Sequence, residues 1–455
     1  MNMKRLSTLP LAALMLFALA SCDIQINPGE FQLQTPVNEQ TRITRDDAWT
    51  SYDNGITDDS NHQRYTIDEL FALYSDTYLS TMSPSEKDNT QKGFSAFCKA
   101  SVSDYSDLGD DELYWEIVKV KYTYGDKTLP GSLIWCSHGD EHKPINPRYF
   151  IIDSHWTMTG ADEFPSKSAS PVIALAHMDA VYVCPDQMAD GEAQPYLCER
   201  ITADRTVAMA KAVLGYLNEQ GMKPLQICEG YSIGYSQGGA SALAVQRAIE
   251  QDEAFQDAIG FTGTYSGAGP YSMTVTLEEW AKSADLKFPA AIGLIARAWD
   301  TFYSAPEWEK GYSANDYFLS AAFRSSGALD NIDARDANIG AINAKIRSHV
   351  TPSTVANLLN AGWDGDTYGF MAIAQDNDLI NDPAWKPEHP IVFFHSTEDE
   401  VVPRRNTDEA AAAFAGHCPL KVIDQSGDHS SVGVLFYSWL GLQKGFPDEI
   451  HKLLK

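Results

Sequence analysis

A serine hydroxyl attacks a carbonyl well only when a neighbouring imidazole takes its proton, and that imidazole needs a carboxylate to fix its tautomer and stabilise its charged form. The chain carries such a set in the order Ser, acid, His. Ser236 sits in Gly234-Tyr-Ser-Gln-Gly-Gly239 after the strand-like run 225–233; Asp399 sits in His395-Ser-Thr-Glu-Asp-Glu-Val-Val-Pro403 and His429 in Gly427-Asp-His-Ser-Ser431. A nucleophile on a sharp strand-to-helix turn needs small neighbours, which Gly234, Gly238 and Gly239 supply. The following helix would aim its positive end at a developing oxyanion. Gly230-Tyr-Ser232-Ile-Gly234 has the same Gly-x-Ser-x-Gly spacing. No helix follows Ser232, however, and the strand would be cut short, so Ser236 is favoured. Glu398, Glu400 and Asp424 are rival acids; the spacing to Pro403 favours Asp399. Among eleven histidines, His429 stands out because it follows the last strand-like run, 420–423.

These residues need a frame that brings the ends of several strands together. From residue 149 the pattern alternates strand-like runs (149–154, 180–184, 225–233, 391–395) with helical ones (201–220, 239–250). That alternation predicts an α/β fold with a mostly parallel central sheet flanked by helices. Upstream, 113–124 and 131–136 read as an antiparallel pair turning at Gly125-Asp126. Thr66-Ile-Asp-Glu69 reads as a capping box that opens a helix. Between 274 and about 385 the beat is lost and aromatics gather, among them Trp280, Phe288, Trp299, Phe302, Tyr303, Trp308, Tyr317 and Phe318. This segment reads as a helical cap inserted over the site, most of its aromatics forming the cap's own core.

The basic start Met1-Asn-Met-Lys4-Arg5 and the apolar run 9–20 form a signal peptide too short to span a bilayer. Leu19-Ala20-Ser21-Cys22 resembles a bacterial lipobox, so residues 1–21 are expected to be removed and Cys22 to carry lipid. Residues 22–64, polar and without apolar periodicity, would tether an exported lipoprotein to the cell envelope, in the periplasm or at the cell surface. The catalytic domain is expected over 65–455. A formal charge of −28 disfavours nucleic acid and anionic lipid as direct partners, since both repel it. Besides Cys22 there are six cysteines, an even number in a compartment that permits disulfides. Cys184 and Cys198 are the first candidates for a bridge, and buried thiols are at least as expected for Cys136 and Cys228. The cysteine spacings match no zinc site.

From residue 149 onward the chain resembles the secretory lipase branch of the α/β hydrolases. The likeness is carried by the Gly-Tyr-Ser-Gln-Gly-Gly turn, by Gly263-Thr-Tyr-Ser-Gly-Ala-Gly-Pro270 and by the loops of Asp399 and His429. It implies a carboxylic-ester hydrolase acting on small acyl esters without metal or cofactor, with Ser236 as nucleophile, Asp399 as acid and His429 as base. It also implies an oxyanion hole built from the amides of Gln237 and Thr157. Relatives usually have His-Gly-Thr where this chain has His155-Trp156-Thr157, and Tyr-x-Gly-x-Gly where it has Gln187-Met-Ala-Asp-Gly191. His155 is expected to brace the loop. Peptidases share the fold and triad, and a retired scaffold would serve as a binding lipoprotein, so both stand as alternatives.

Overall fold

Short apolar and aromatic runs, punctuated by glycine turns, fold into one nine-stranded sheet in the computed structural model, which describes residues 52–66, 68–70, 72, 113–145, 147–160, 163–167, 179–221, 229–303, 339–361, 370–442 and 446–455. The signal segment, Cys22, most of the tether, Cys98, Cys228, Trp308, Tyr317 and Phe318 lie outside these residues. The strands are β1 (Ile56–Tyr65), β2 (Leu113–Tyr124), β3 (Lys127–His138), β4 (Tyr149–Ser154), β5 (Ala180–Pro185), β6 (Glu229–Tyr235), β7 (Phe261–Gly267), β8 (Ile391–Ser396) and β9 (Leu420–Gln425). Their order is β1-β2-β3-β5-β4-β6-β7-β8-β9. Neighbours from β1 to β5 pair antiparallel, and those from β5 to β9 parallel.

Side chains alternate across the strands, so each buried strand feeds two cores. Phe150 and Ile152 of β4 join Val181 and Val183 of β5 against α1 (Glu199–Glu219) and α2 (Gln237–Glu250). The helix α3 (Glu253–Ile259) closes that layer with Phe255 and Ile259. On the other face Tyr149, Ile151, Tyr231, Ile233 and Tyr235 form a second core with Val432, Phe436 and Leu440.

Between β7 and β8 run α4 (Met273–Lys282), α5 (Ala290–Phe302), α6 (Ile339–Arg347), α7 (Pro352–Ala361) and α8 (Phe370–Asp376). They pack around a third core in which Trp299 and Tyr303 are buried, with Trp280, Phe288 and Phe302 laid against it. These five aromatics therefore serve packing. The chain ends with α9 (Arg405–Phe414), α10 (His429–Leu442) and α11 (Asp448–Leu453).

Two expectations change, and one strand, β7, has no counterpart among the runs read from the sequence. Residues 56–64, read as tether, belong to β1, whose polar, mostly exposed residues pair with β2 at the sheet edge and so lack the apolar alternation of a half-buried strand. Strand β7 escaped because its buried positions include Thr264 and Ser266; the Ser266 hydroxyl donates to the Gly239 carbonyl (2.8 Å). Cys184 and Cys198 are separate buried thiols, Cys184 in the second core and Cys198 in the third, and burial pushes both thiols up. The capping box is present: Thr66 Oγ1 accepts from Glu69 N (3.1 Å) and Glu69 Oε2 accepts from Thr66 N (2.9 Å).

Candidate active site

The turn from β6 into α2 is tight enough to exclude every side chain larger than hydrogen at three positions. A Cβ on Gly234 would stand 2.1 Å from the Gly238 carbonyl oxygen, one on Gly238 2.1 Å from that of Ser154, and one on Gly239 2.3 Å from that of Gly267. Ser236 at the apex has φ 61° and ψ −125°, a conformation that costs a non-glycine residue about 1–3 kcal/mol. Its amide is fixed by the Gly267 carbonyl (2.8 Å). The strained backbone throws the hydroxyl off the end of the sheet, while Gln237 begins the helix with an amide that has no partner four residues back.

Ser236 Oγ meets His429 Nε2 at 2.9 Å, and His429 Nδ1 meets Asp399 Oδ2 at 2.6 Å. An ionised carboxylate only accepts, so Nδ1 carries the proton and Nε2 is left to accept from the serine. His429 is only 8% exposed and opens α10, and its carbonyl accepts from the Tyr235 hydroxyl (2.8 Å). Asp399 stands after β8, and its other oxygen accepts from the amides of Val401 (2.9 Å) and Val402 (2.8 Å). Burial would raise the Asp399 carboxyl, but the charge of His429 and hydrogen bonds from His395 and His429 outweigh it and hold it far below the usual range. Burial likewise acts to lower His429. Asp399, by charge and hydrogen bond, and then Glu400 and Asp428 reverse this and raise it.

The rival residues have other partners. Ser232 is fully buried and donates to the Ala242 carbonyl (3.0 Å) of α2. Glu398 accepts from Gly427 N (3.0 Å), Glu400 accepts from His429 N (3.1 Å), and Asp424 pairs with Arg404 (2.6 Å). Two of these acids thus hold the histidine loop in place.

One residue was missed as a participant. His395, fully buried at the end of β8, meets Thr407 Oγ1 at Nδ1 (2.6 Å), and its Nε2 faces two acceptors, which puts a proton there. That proton points to the Val402 carbonyl (3.1 Å) and the Asp399 Oδ2 (3.2 Å). Its position four residues before the acid was visible, but a terminal strand residue carries no periodicity signal that marks it as a partner.

The loop after β4 lies against the first turn of α2, since the carbonyls of Ser154 and His155 are what a Cβ on Gly238 would strike. Trp156 has no positive φ, so its position makes no demand for glycine, and its ring packs edge-on against Tyr437 (5.8 Å). Buried His155, whose pKa burial lowers, bonds the Trp156 carbonyl through Nδ1 (2.7 Å). Thr157 Oγ1 bonds Tyr196 Oη at 3.4 Å, and Glu163 accepts from the amides of Thr159 (2.8 Å) and Gly160 (3.2 Å). Ser166 joins this loop to the next through Asp186, by its amide (2.7 Å) and hydroxyl (2.5 Å). In the glycine-poor loop Gln187 takes φ 66°, and Arg205 holds it by donating to the Gln187 carbonyl (2.9 Å) and the Glu192 carboxylate (2.7 Å).

No protein-family model matches this sequence, and no curated protein matches it. Solved structures do. The ligand-bound form of the rice cell wall degrading esterase LipA from Xanthomonas oryzae aligns at a TM-score of 0.59 and 16% identity, covering 88% of this chain and 98% of that one. A protein of Legionella pneumophila provisionally named a hydrolase aligns at 0.56 and 15% identity, covering 79% of this chain and 95% of that one. The sheet order, the tight turn after β6 and these alignments give one conclusion: the chain has the α/β-hydrolase fold.

Proposed function

We propose that the protein is a serine hydrolase of carboxylic esters that works through an acyl-enzyme. The reading is carried by the hydrogen-bonded series Ser236–His429–Asp399 at the end of the parallel strands. The esterase similarity in fold supports it. Ser236 Oγ attacks the ester carbonyl as His429 Nε2 takes its proton, and the amides of Gln237 and Thr157 hold the oxyanion. The alcohol leaves with the proton returned by His429. Water, deprotonated by the same nitrogen, then attacks the acyl carbon, and Ser236 is restored as the carboxylic acid departs. Asp399 fixes the tautomer throughout, and His395, together with the Val401 and Val402 amides, keeps it charged.

The region between β7 and β8 acts in this reading as the cap, and cleavage before a lipid-bearing Cys22 places the enzyme at the cell envelope. The test is a burst experiment on p-nitrophenyl esters of increasing acyl length, with mass spectrometry of the quenched enzyme. Acyl mass on the Ser236 peptide, absent in Ser236→Ala, is the expected result. Ester turnover that survives Ser236→Ala undiminished would overturn the proposal.

A further inference from the structure

At the sheet edge opposite β9, a second set of chemistry-bearing side chains takes no part in the mechanism above. Glu116, at the centre of β2, is fully buried yet carries a carboxylate. His62 and Arg64 of β1 lie across from it, Arg64 in direct register and His62 two residues along on the same face. His142 comes from the loop after β3. The ligand atoms of His62, Glu116 and His142 lie within 4.8 Å of one another. We propose that His62, Glu116 and His142 form a binding site for a divalent transition metal of the zinc type.

The carboxylate is prepared for this. Oε1 receives the Ser137 hydroxyl (2.5 Å) and Arg64 Nε (3.0 Å), which orient the group and leave Oε2 toward His62. His62 Nε2 stands 2.6 Å from Oε2, and His142 Nδ1 3.2 Å from Oε1. The His142 backbone is pinned by the Trp135 indole, which donates to its carbonyl (3.0 Å), while the His62 and His142 rings meet edge-on at 5.4 Å. Tetrahedral zinc with bonds of about 2.0–2.2 Å needs ligand atoms roughly 3.3–3.6 Å apart. The set reaches that spacing if His62 moves slightly away from Glu116 and the exposed His142 swings in. The metal then takes the place that the direct contact between His62 and Glu116 now fills.

The site opens to a cleft of about 480 Å³ whose lining includes Asp59 and Lys143, giving solvent access for the ion and for a water in the fourth position. Two imidazoles with one carboxylate suit zinc better than calcium or magnesium, which prefer oxygen alone. The site has a physical use. β1 is polar and mostly exposed, so hydrophobic burial does little to hold it. An ion bound by β1, β2 and the loop after β3 would fasten this edge strand to the sheet.

The experiment is calorimetric titration of the purified, chelator-stripped full chain with Zn²⁺ alone, paired with thermal unfolding. Wild type is expected to take up one equivalent and to melt at higher temperature with zinc. His62→Ala and His142→Ala should each weaken uptake at least about tenfold, while His417→Ala, an exposed histidine elsewhere, leaves it unchanged. Both variants should keep the far-ultraviolet dichroism of wild type, because neither side chain belongs to a core. No zinc uptake by wild type, or titrations of His62→Ala and His142→Ala that match wild type, would overturn the proposal.

Discussion

Gly238→Ala puts the packing of the nucleophile turn to a quantitative test. The added methyl would stand 2.1 Å from the Ser154 carbonyl oxygen and 2.8 Å from that of His155, where ordinary contact begins at 3.4 Å. Both obstacles are backbone, so neither can rotate away. Helix α2 and the loop bearing Thr157 must part by more than 1 Å, which separates the two amides assigned to the oxyanion. Overpacking of this kind costs about 1–3 kcal/mol. For a domain of this size that lowers Tm by roughly 1–6 °C, at about 1–2 °C per kcal/mol. A displacement of about 1 Å in a catalytic group costs on the order of a hundredfold in rate, so kcat/KM should fall by about that factor. The assay is p-nitrophenyl ester hydrolysis beside thermal unfolding of the same preparation. A folded variant with unchanged Tm and kcat/KM within about threefold of wild type would refute the reasoning.

Other outcomes follow from the same geometry. His429 must be neutral to accept the serine proton, and its pKa is raised, so kcat/KM should fall in acid with a midpoint above the ordinary imidazole value of about 6.5. Glu400→Gln should move that midpoint downward in a pH–rate profile, and a wild-type midpoint below the ordinary value would contradict the assignment. His395→Ala should cost about 2–4 kcal/mol in denaturant unfolding and lower kcat more than it changes KM, because it removes both buried packing and a donor facing Asp399. An unchanged kcat and pH profile would make His395 purely structural. Arg205→Ala should destabilise by about 2–4 kcal/mol at neutral pH, since it takes the donor from the Gln187 carbonyl and leaves the Glu192 carboxylate with only Lys127 and the Ala189 amide. Burial acts to raise the Glu192 carboxyl, but hydrogen bonds from Arg205 and Lys127 bring it down to about 2. Its stabilising contribution is therefore present above about pH 4.3 and is lost as pH falls toward 2, so urea unfolding should show the variant and wild type converging in acid.

How legible each part was in the sequence depended on whether a local rule covered it. Strands β4, β5, β8 and β9 are apolar runs of ordinary length, and the glycines around Ser236 follow from a steric need that acts within five residues. The pairing of Ser236 with His429 across 193 positions was legible only through chain order and loop placement. β1 was not, because an exposed edge strand needs no apolar face. Nor was β7, whose Thr264 and Ser266 are buried polar positions that only tertiary contacts explain. The Cys184–Cys198 bridge failed because nearness along the chain does not reveal that two residues belong to different cores. Trp156 stands where relatives usually have glycine, yet the backbone there takes no positive φ and the indole finds a partner in Tyr437. The arrangement of His62, Glu116 and His142 spans three separate segments, and strand register assembles it.

Covalent labelling with a fluorophosphonate tests the central claim most directly, because the reagent reacts only with a hydroxyl that a neighbouring base activates beside a working oxyanion hole. Wild type, Ser236→Ala, Ser232→Ala and His429→Ala would be treated together and the modified peptide identified. The account predicts labelling of wild type and Ser232→Ala on Ser236, with none in Ser236→Ala or His429→Ala. Failure of folded wild type to label, or labelling that persists in Ser236→Ala, would contradict it.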